Sequence, residues 1–337
     1  MYRTVVVALL ALSASARLHD LEKKVTINDL ELFNGFQKFA ETYNKQYASV
    51  EEARERFEIY KANHLQLQVY QQYEQGTATY GETQFMDLTP EEFRTQVLSN
   101  VQKDPLAPHR PLNDEELKAL KDDAPAEFDH REAGLVTHVK KQGDCGSCWA
   151  FAATGNIEGL WKKKTGELFS LSEQQLVDCD KKDKGCQGGY MLPAFEEIIR
   201  LGGLVKEEEY PYKGLDGECQ LENKKIAAYI NDSLQLPEDE EKIKQYLVSS
   251  GPIAVGINAI PLQFYHRGIH HPLKFFCDPQ GLNHGVLLVG YGEERGKPFW
   301  IVKNSWGDRW GEKGYFRLFR GQNVCGVAGY ATTAIIN

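Results

Sequence analysis

The stretch Gln142-Gly143-Asp144-Cys145-Gly146-Ser147-Cys148-Trp149-Ala150-Phe151 joins a glycine-broken loop to the start of an apolar helix. Gly143 and Gly146 predict irregular backbone up to the second cysteine. From Cys148 to Lys164 the pattern turns helical. Trp149, Ala152, Ile157, Leu160 and Trp161 supply the buried side, and Lys162-Lys163-Lys164 sit at the C-terminal end, where the helix dipole favours cations. Cys148 therefore falls at a helix N-terminus, where the same dipole stabilises a thiolate, the attacking form of cysteine. Read alone, Cys145-x-x-Cys148 could also be half a zinc site or a redox pair. Zinc needs a matching pair of ligands, and no second Cys-x-x-Cys is present. A redox pair belongs in a thioredoxin-like βαβ unit, which the surrounding sequence does not suggest.

The run resembles the active-site segment of the papain and cathepsin family of cysteine proteases, whose Cys-Gly-Ser-Cys-Trp core is a family mark. Two later segments carry the same resemblance in the same order. Leu282-Asn283-His284-Gly285-Val286-Leu287-Leu288-Val289-Gly290-Tyr291-Gly292 is similar to the family's histidine segment, and Lys303-Asn304-Ser305-Trp306-Gly307 to its asparagine segment. The resemblance implies that Cys148 attacks the peptide carbonyl while His284 holds its proton and delivers it to the leaving amine. Asn304 would accept a hydrogen bond from the other imidazole nitrogen, and Trp306 would shield that contact from water. Gln142 and the Cys148 backbone N–H would form the oxyanion hole, worth about 3 kcal/mol of barrier.

Seven cysteines give six that can pair and one left over. The family pattern implies the pairs Cys145–Cys186, Cys179–Cys219 and Cys277–Cys325, leaving Cys148 as the odd thiol. Gly185-Cys186-Gln187-Gly188-Gly189 resembles the family's substrate-strand segment, where Gly188 and Gly189 would let an extended peptide approach the backbone. Matching the segments around the motifs puts Met191, Gly256, Leu282, Gly285 and Tyr330 on the pocket for the residue two before the scissile bond. Tyr330, bulky and neutral, would close that pocket and favour Leu or Val over Arg.

Upstream, Arg3, the apolar run Val5–Leu12 and Ala14-Ser15-Ala16 follow the plan of a secretory leader, residues 1–16. A membrane anchor would need roughly 20 apolar residues, and Arg17, His19 and Asp20 arrive too soon. Residues 17–123 read as a propeptide, with Leu30, Phe33, Phe36, Phe39 and Tyr43 striping one helix. A second helix is expected from Glu51 to Tyr73, with Phe57, Tyr60, Leu67 and Tyr70 as core positions. Glu52, Arg56, Tyr60, Asn63, Leu67 and Gln71 share a face of it and resemble the interspersed motif of cathepsin L-like propeptides. Gly81-x-Thr83-x-Phe85-x-Asp87 resembles the second propeptide motif, and Gln71 and Thr83 lean towards the cathepsin F-like branch. Asp87 is expected to need its charge to hold the propeptide in the cleft. Pro105, Pro108 and Pro111 with a run of acids make Lys103–Pro125 an exposed linker.

Residues 124–337 read as the catalytic domain, with strands at Ile253–Ile257, Gly285–Tyr291, Pro298–Val302 and Tyr315–Phe319. The fold the resemblance implies is α+β, a helical lobe carrying Cys148 and a β-barrel-like lobe carrying His284 and Asn304. Net charge is -9, which disfavours nucleic acid. No cofactor or metal is called for, and His270-His271 reads as a loop. His130 stands where the family has Trp and is given no role. Asn231-Asp232-Ser233 is a glycosylation sequon. The expected partners are protein and peptide substrates, the propeptide as inhibitor, and cystatin-type inhibitors, for a monomer of the lysosome or extracellular lumen. The competing reading is a catalytically inactive papain-like homologue acting as a binding protein.

Overall fold

The computed structural model describes residues 17–19, 21–22, 29–99, 110–120 and 124–337. The expected leader at 1–16 and the expected boundary at residue 123 lie outside the described residues.

Two helices, α1 (Leu30–Thr42) and α2 (Val50–Gln72), form an N-terminal unit. Phe33, Phe36 and Phe39 are buried between them, Phe33 meeting Phe57 edge-on at 5.2 Å and Phe36 meeting Tyr60 at 5.4 Å. Leu30, expected in that stripe, is 43% exposed. At 3.6 residues per turn a three-residue step falls short of a full turn, so Leu30 sits about 120° around the helix from Phe36. α2 starts where Ser49 accepts the Glu52 N–H at 3.0 Å. Its shared face grips the next segment of chain. Arg56 donates to the Asp87 carbonyl (3.0 Å) and to Glu92 (2.8 Å), Asn63 to the carbonyls of Met86 (2.9 Å) and Leu88 (2.8 Å), and Gln71 to that of Ala78 (3.0 Å). The chain then pairs as β1 (Thr79–Tyr80) with Tyr265–Arg267, and a capped turn at Pro90–Glu92 runs into the π-helical turn Phe93–Val97.

The expected exposed linker departs from the reading where it is described. β2 (Arg110–Pro111) pairs with Asp232–Gln235, α3 (Asp114–Ala119) follows, and Leu112 between them is buried. Prolines exclude helix but not an edge strand, so the linker composition did not preclude docking.

β3 (Phe128–Asp129) leads into the helical lobe: α4 (Cys148–Thr165), α5 (Glu173–Cys179) and α6 (Met191–Leu201). α4 ends on Gly166 in the left-handed conformation, with the three lysines in its last turn. Its core joins Trp149, Ile157, Leu176, Phe195 and Ile198. The second lobe contains β4 (Asp232–Gln235), α7 (Glu240–Ser249), β5 (Ile253–Ile257), β6 (Tyr265–Arg267), β7 (Ile269–His270), β8 (His284–Glu294), β9 (Lys297–Lys303), β10 (Tyr315–Phe319) and β11 (Ala331–Ile335). The large sheet runs β2-β4-β11-β5-β8-β9-β10-β7, with β3 on β8. Mixed helix and sheet in two lobes is the α+β arrangement expected. Disulfides join Cys145–Cys186, Cys179–Cys219 and Cys277–Cys325, and Cys148 is free.

His270 corrects the loop reading: it lies in β7 and is fully buried, with Nδ1 2.9 Å from the Tyr80 hydroxyl. His271 turns outward and stacks on Phe319 at 4.1 Å. His130 packs edge-on to Phe128 at 4.7 Å and bonds through Nε2 to the Leu247 carbonyl at 2.8 Å, so it serves as a buried packing residue.

Asn63 is buried, and its amide satisfies two carbonyls at once. Asn63→Ala leaves both without that donor and should cost about 1–3 kcal/mol. Denaturant unfolding followed by Trp306 fluorescence, a ring touched by Phe85 and Phe93, reads the lowered midpoint.

Candidate active site

Cys148 is the first residue of α4, fully buried. Its Sγ lies 3.2 Å from the Ser99 hydroxyl and accepts the Gly285 N–H at 3.3 Å. Burial pushes the thiol up, with those hydrogen bonds opposing. The thiolate expected from the helix dipole therefore gives way here to the neutral thiol. Ser99 lies against the sulfur, and removing water costs the charged form more than one dipole returns.

His284 opens β8, and Asn304 directly follows β9. Imidazole Nε2 donates to Asn304 Oδ1 at 2.8 Å, and Trp306 stacks on the imidazole at 4.7 Å and 28°. Nδ1 is buried without a partner, and Cys148 Sγ makes its hydrogen bonds elsewhere. Desolvation lowers the imidazole to about 4, against the raising effect of Asn304. Cysteine and histidine are thus both neutral in this state.

Gln142 is fully buried and held from both ends. Ser305 Oγ donates to Oε1 at 2.7 Å, while Nε2 donates to the carbonyls of Cys145 (2.8 Å) and Val97 (2.9 Å). A peptide carbonyl from the N-terminal segment therefore already occupies the Gln142 amide. Ser99 N–H continues the run by donating to the Asn283 carbonyl at 2.8 Å.

The glycines and pocket residues are placed as follows. Gly188 has φ +117°, open to glycine alone, and a Cβ on Gly189 would meet the Trp149 ring at 2.7 Å. Met191, Leu282 and Tyr330 are buried in one apolar cluster with Cys148. The Gly256 N–H donates to the Tyr330 carbonyl at 2.9 Å, and the Tyr330 hydroxyl accepts from the Leu192 N–H at 3.1 Å. Asn231 is exposed, and its Oδ1 accepts the Asn337 N–H at 2.7 Å.

Sequence reading missed a buried charge cluster behind the site. Lys140 Nζ lies 3.0 Å from Glu158 and 2.6 Å from Glu173, and Lys303, beside Asn304, donates to Thr137 Oγ1 at 2.9 Å. Burial pushes Glu173 up to about 7, which Lys140 only partly offsets. Burial lowers Lys303 to about 8. These four residues share no spacing that a sequence could advertise. Phe93 was also unassigned; it packs on Trp306 at 5.6 Å beside Phe85 of the second propeptide motif, at 5.2 Å.

Among the described residues the His/Cys/Asp/Glu group with metal-like spacing is His270, Cys277 and Cys325. Its two sulfurs form a disulfide and have no thiolate to offer a metal. His266 and His270 have His-x-x-x-His spacing, but His266 is exposed and His270 buried, so they do not converge.

Residues 124–335 match the model of the papain family cysteine protease, and residues 36–93 that of the cathepsin propeptide inhibitor domain. The chain belongs to the papain family of cysteine proteases. It is 47% identical over 303 residues to Cathepsin F of Mus musculus, covering 90% of this chain and 64% of that protein. It is 42% identical to Cathepsin F of Drosophila melanogaster, covering 89% of this chain and 50% of the relative. Cysteine proteinase 15A of Pisum sativum is 42% identical, covering 88% of this chain and 85% of the relative. The chain thus spans half to two thirds of the length of the two Cathepsin F relatives. Among solved structures, digestive procathepsin L2 proteinase from Tenebrio molitor larval midgut superposes with TM-score 0.83 at 35% identity, over 90% of this chain and all of that one. The cathepsin relatives and three disulfides go with a secretory or lysosomal protein. Among the described residues no helix is long and apolar enough to cross a membrane.

A neutral, covered thiol should alkylate slowly. Freeing Cys148 from its cover should speed iodoacetamide labelling at pH 7 roughly 100-fold, because the thiolate is the reactive form. Intact-mass labelling rates before and after prosegment removal check this.

Proposed function

We propose that the chain is a cysteine endopeptidase made as a zymogen, with Cys148 as nucleophile, His284 as acid and base, Asn304 as its orienting partner and Gln142 in the oxyanion hole. The observation that carries the reading is the Val97 carbonyl on Gln142 Nε2. The amide already binds a peptide C=O of the segment whose Ser99 hydroxyl lies 3.2 Å from the thiol. With a substrate carbonyl there, the thiol passes its proton to His284, Sγ bonds to the carbonyl carbon, and the oxyanion takes bonds from Gln142 and the Cys148 N–H. The C–N bond then breaks as His284 gives its proton to the amine. Water, deprotonated by the same imidazole, hydrolyses the thioester and returns the free thiol. An intact set of these four residues favours this over an inactive binding homologue.

In this reading residues 1–16 are the leader, 17–123 the prosegment and 124–337 the catalytic domain. Asn231 is an accessible glycan acceptor. The enzyme is a monomer of the lysosome or extracellular lumen, open to cystatin-type inhibitors once its cleft is clear. Cys148→Ala and His284→Ala should abolish peptidase activity, while Asn304→Ala should lose less, because orientation is worth less than the proton transfer it serves. A fluorogenic peptide assay of each activated variant, with disulfides checked by mass, decides the roles. Turnover above a trace in Cys148→Ala would end the proposal.

The buried cluster of Met191, Leu282 and Tyr330 supports an apolar pocket for the residue two before the scissile bond. A Leu gains about 2 kcal/mol from burial there, whereas an unpaired Arg loses several. The wild type should prefer Leu to Arg in kcat/KM, and Tyr330→Glu should narrow that gap. An Arg preference in the wild type would remove Tyr330 from the pocket.

Acid should release the prosegment. Hydrogen bonding from Arg56 holds Glu92 below the usual carboxylate range. Burial works to raise Glu74, but bonds from His270, Tyr80 and the Gly76 N–H hold it low as well. A carboxylate depressed in the docked state contributes stability above its free pKa, about 4.3, and loses it as pH falls through the docked value. Glu74 meets His270 across the interface. The Arg56–Glu92 and Lys45–Asp87 salt bridges, at 2.8 and 2.7 Å, lie within the N-terminal segment and hold its own fold, so Asp87 braces the segment rather than gripping the cleft. The proenzyme should process itself near pH 4 and stay whole at pH 7, and Glu92→Gln should leak activity at higher pH. Mass against time at both pH values reads the outcome, and equal processing at both would refute it.

A further inference from the structure

Residues 110–120 take no part in covering the cleft. Arg110 and Pro111 pair in parallel with Leu234 and Gln235 of β4 and form the outermost strand of the large sheet. The Arg110 guanidinium grips Glu116 with two bonds, 2.7 and 2.8 Å, and its Nε reaches Asp232 at 3.3 Å. Asn113 caps α3 reciprocally: its Oδ1 accepts the N–H groups of Glu115 (3.0 Å) and Glu116 (2.9 Å), and Glu116 accepts the Asn113 N–H (2.8 Å). Leu112 is 7% exposed, and Leu117 and Leu120 pack against the main core. Pro111, Leu112 and Leu117 form one wall of an apolar pocket whose other wall is Gln235, Leu236 and Pro237. Among the described residues, the hydrogen bonds and ion pairs of this segment run to itself and to β4, and none reaches Cys148, His284 or Gln142.

Without the segment, β4 becomes an open sheet edge flanked by the apolar Leu234 and Leu236, both buried while the segment is docked. Such edges pair readily with any strand offered. The segment offers both a strand and an apolar anchor, and its helix is capped from within its own sequence. We propose that residues 110–120 are a strap belonging to the catalytic domain: β4 and the apolar residues beside it form a docking surface that keeps this segment on the enzyme after the inhibitory helices have left. The inference rests on the zymogen reading, since it concerns what maturation leaves behind.

The proenzyme is brought to pH 4 until peptidase activity appears, then weighed by native and by denaturing mass spectrometry. The strap predicts that residues 110–120 remain, as an N-terminal extension of the catalytic chain or as a fragment present in the native mass alone. Leu112→Asp places a charge in that apolar pocket and should lose the segment, with kcat/KM on the same peptide unchanged. Should that proenzyme fail to fold, Arg110→Glu, which repels Glu116 and Asp232, gives the same reading. A wild-type native mass beginning beyond residue 120 with nothing bound overturns the proposal, as does a folded variant that retains the segment as fully as wild type. Absence of any activity after acid overturns the zymogen reading instead, so the two failures are told apart.

Discussion

The cleft depends on how closely the N-terminus of α4 approaches the first residues of β8. A Cβ on Gly285 would stand 3.2 Å from the Cys148 carbonyl oxygen and 3.2 Å from the Trp149 Cα. A hydrogen in its place lets the Gly285 N–H reach Sγ and brings His284 to the same cleft as the thiol. The two lobes are then held from behind by charges neither could bury alone. Glu158 and Glu173 come from the helical lobe and Lys303 from β9, with Lys140 between the carboxylates. Taking a single one of these charges out of water would cost several kcal/mol. As a group they make the joint a poor place for slippage, which is what a two-lobed site of fixed geometry requires.

Trp306 serves both halves of the chain. One face lies on His284, and Phe85 and Phe93 from the N-terminal segment meet it edge-on, with Trp310 at 4.8 Å. The ring that shields the histidine–asparagine bond is therefore also the apolar seat of the inhibitor. The segment docks with this geometry in place: Nε2 and Oδ1 lie 2.8 Å apart, and Gln142 aims its amide at a peptide carbonyl.

Much of this was legible in the sequence because the decisive residues sit in short runs with local physics. Cys148 after a glycine loop, a stripe of aromatic residues, and alternating strands each follow from neighbours a few positions apart. The α2 face spanning Arg56 to Gln71 was legible as a face, but its partners, the carbonyls of Ala78 to Leu88, were not, since backbone acceptors leave no mark on a sequence. His270 was misread because a doublet of histidines looks polar, and nothing nearby announces that Tyr80, 190 positions away, will satisfy it. The docked strap was hidden for a related reason. Three prolines and a run of acids describe a solvated linker, yet strand pairing with β4, the Arg110–Asp232 contact and the packing of Leu112, Leu117 and Leu120 dock it.

Water is the variable that separates the stored from the reactive state. Cys148 and His284 share a site in which each, buried, prefers to be neutral: desolvation raises the thiol and lowers the imidazole. Both shifts oppose the thiolate–imidazolium pair, and Ser99, 3.2 Å from the sulfur, is part of the cover over the thiol. The groups that favour the charged pair are fixed parts of the fold: the α4 dipole at the sulfur, the Gly285 N–H, and the Asn304 oxygen on Nε2. Removing the cover returns water to both groups while leaving those parts in place, so the balance tips without any rearrangement of the residues themselves. Asn304 matters to that balance by being neutral. An aspartate there would favour the imidazolium even under the prosegment and erode the difference between the covered and open states.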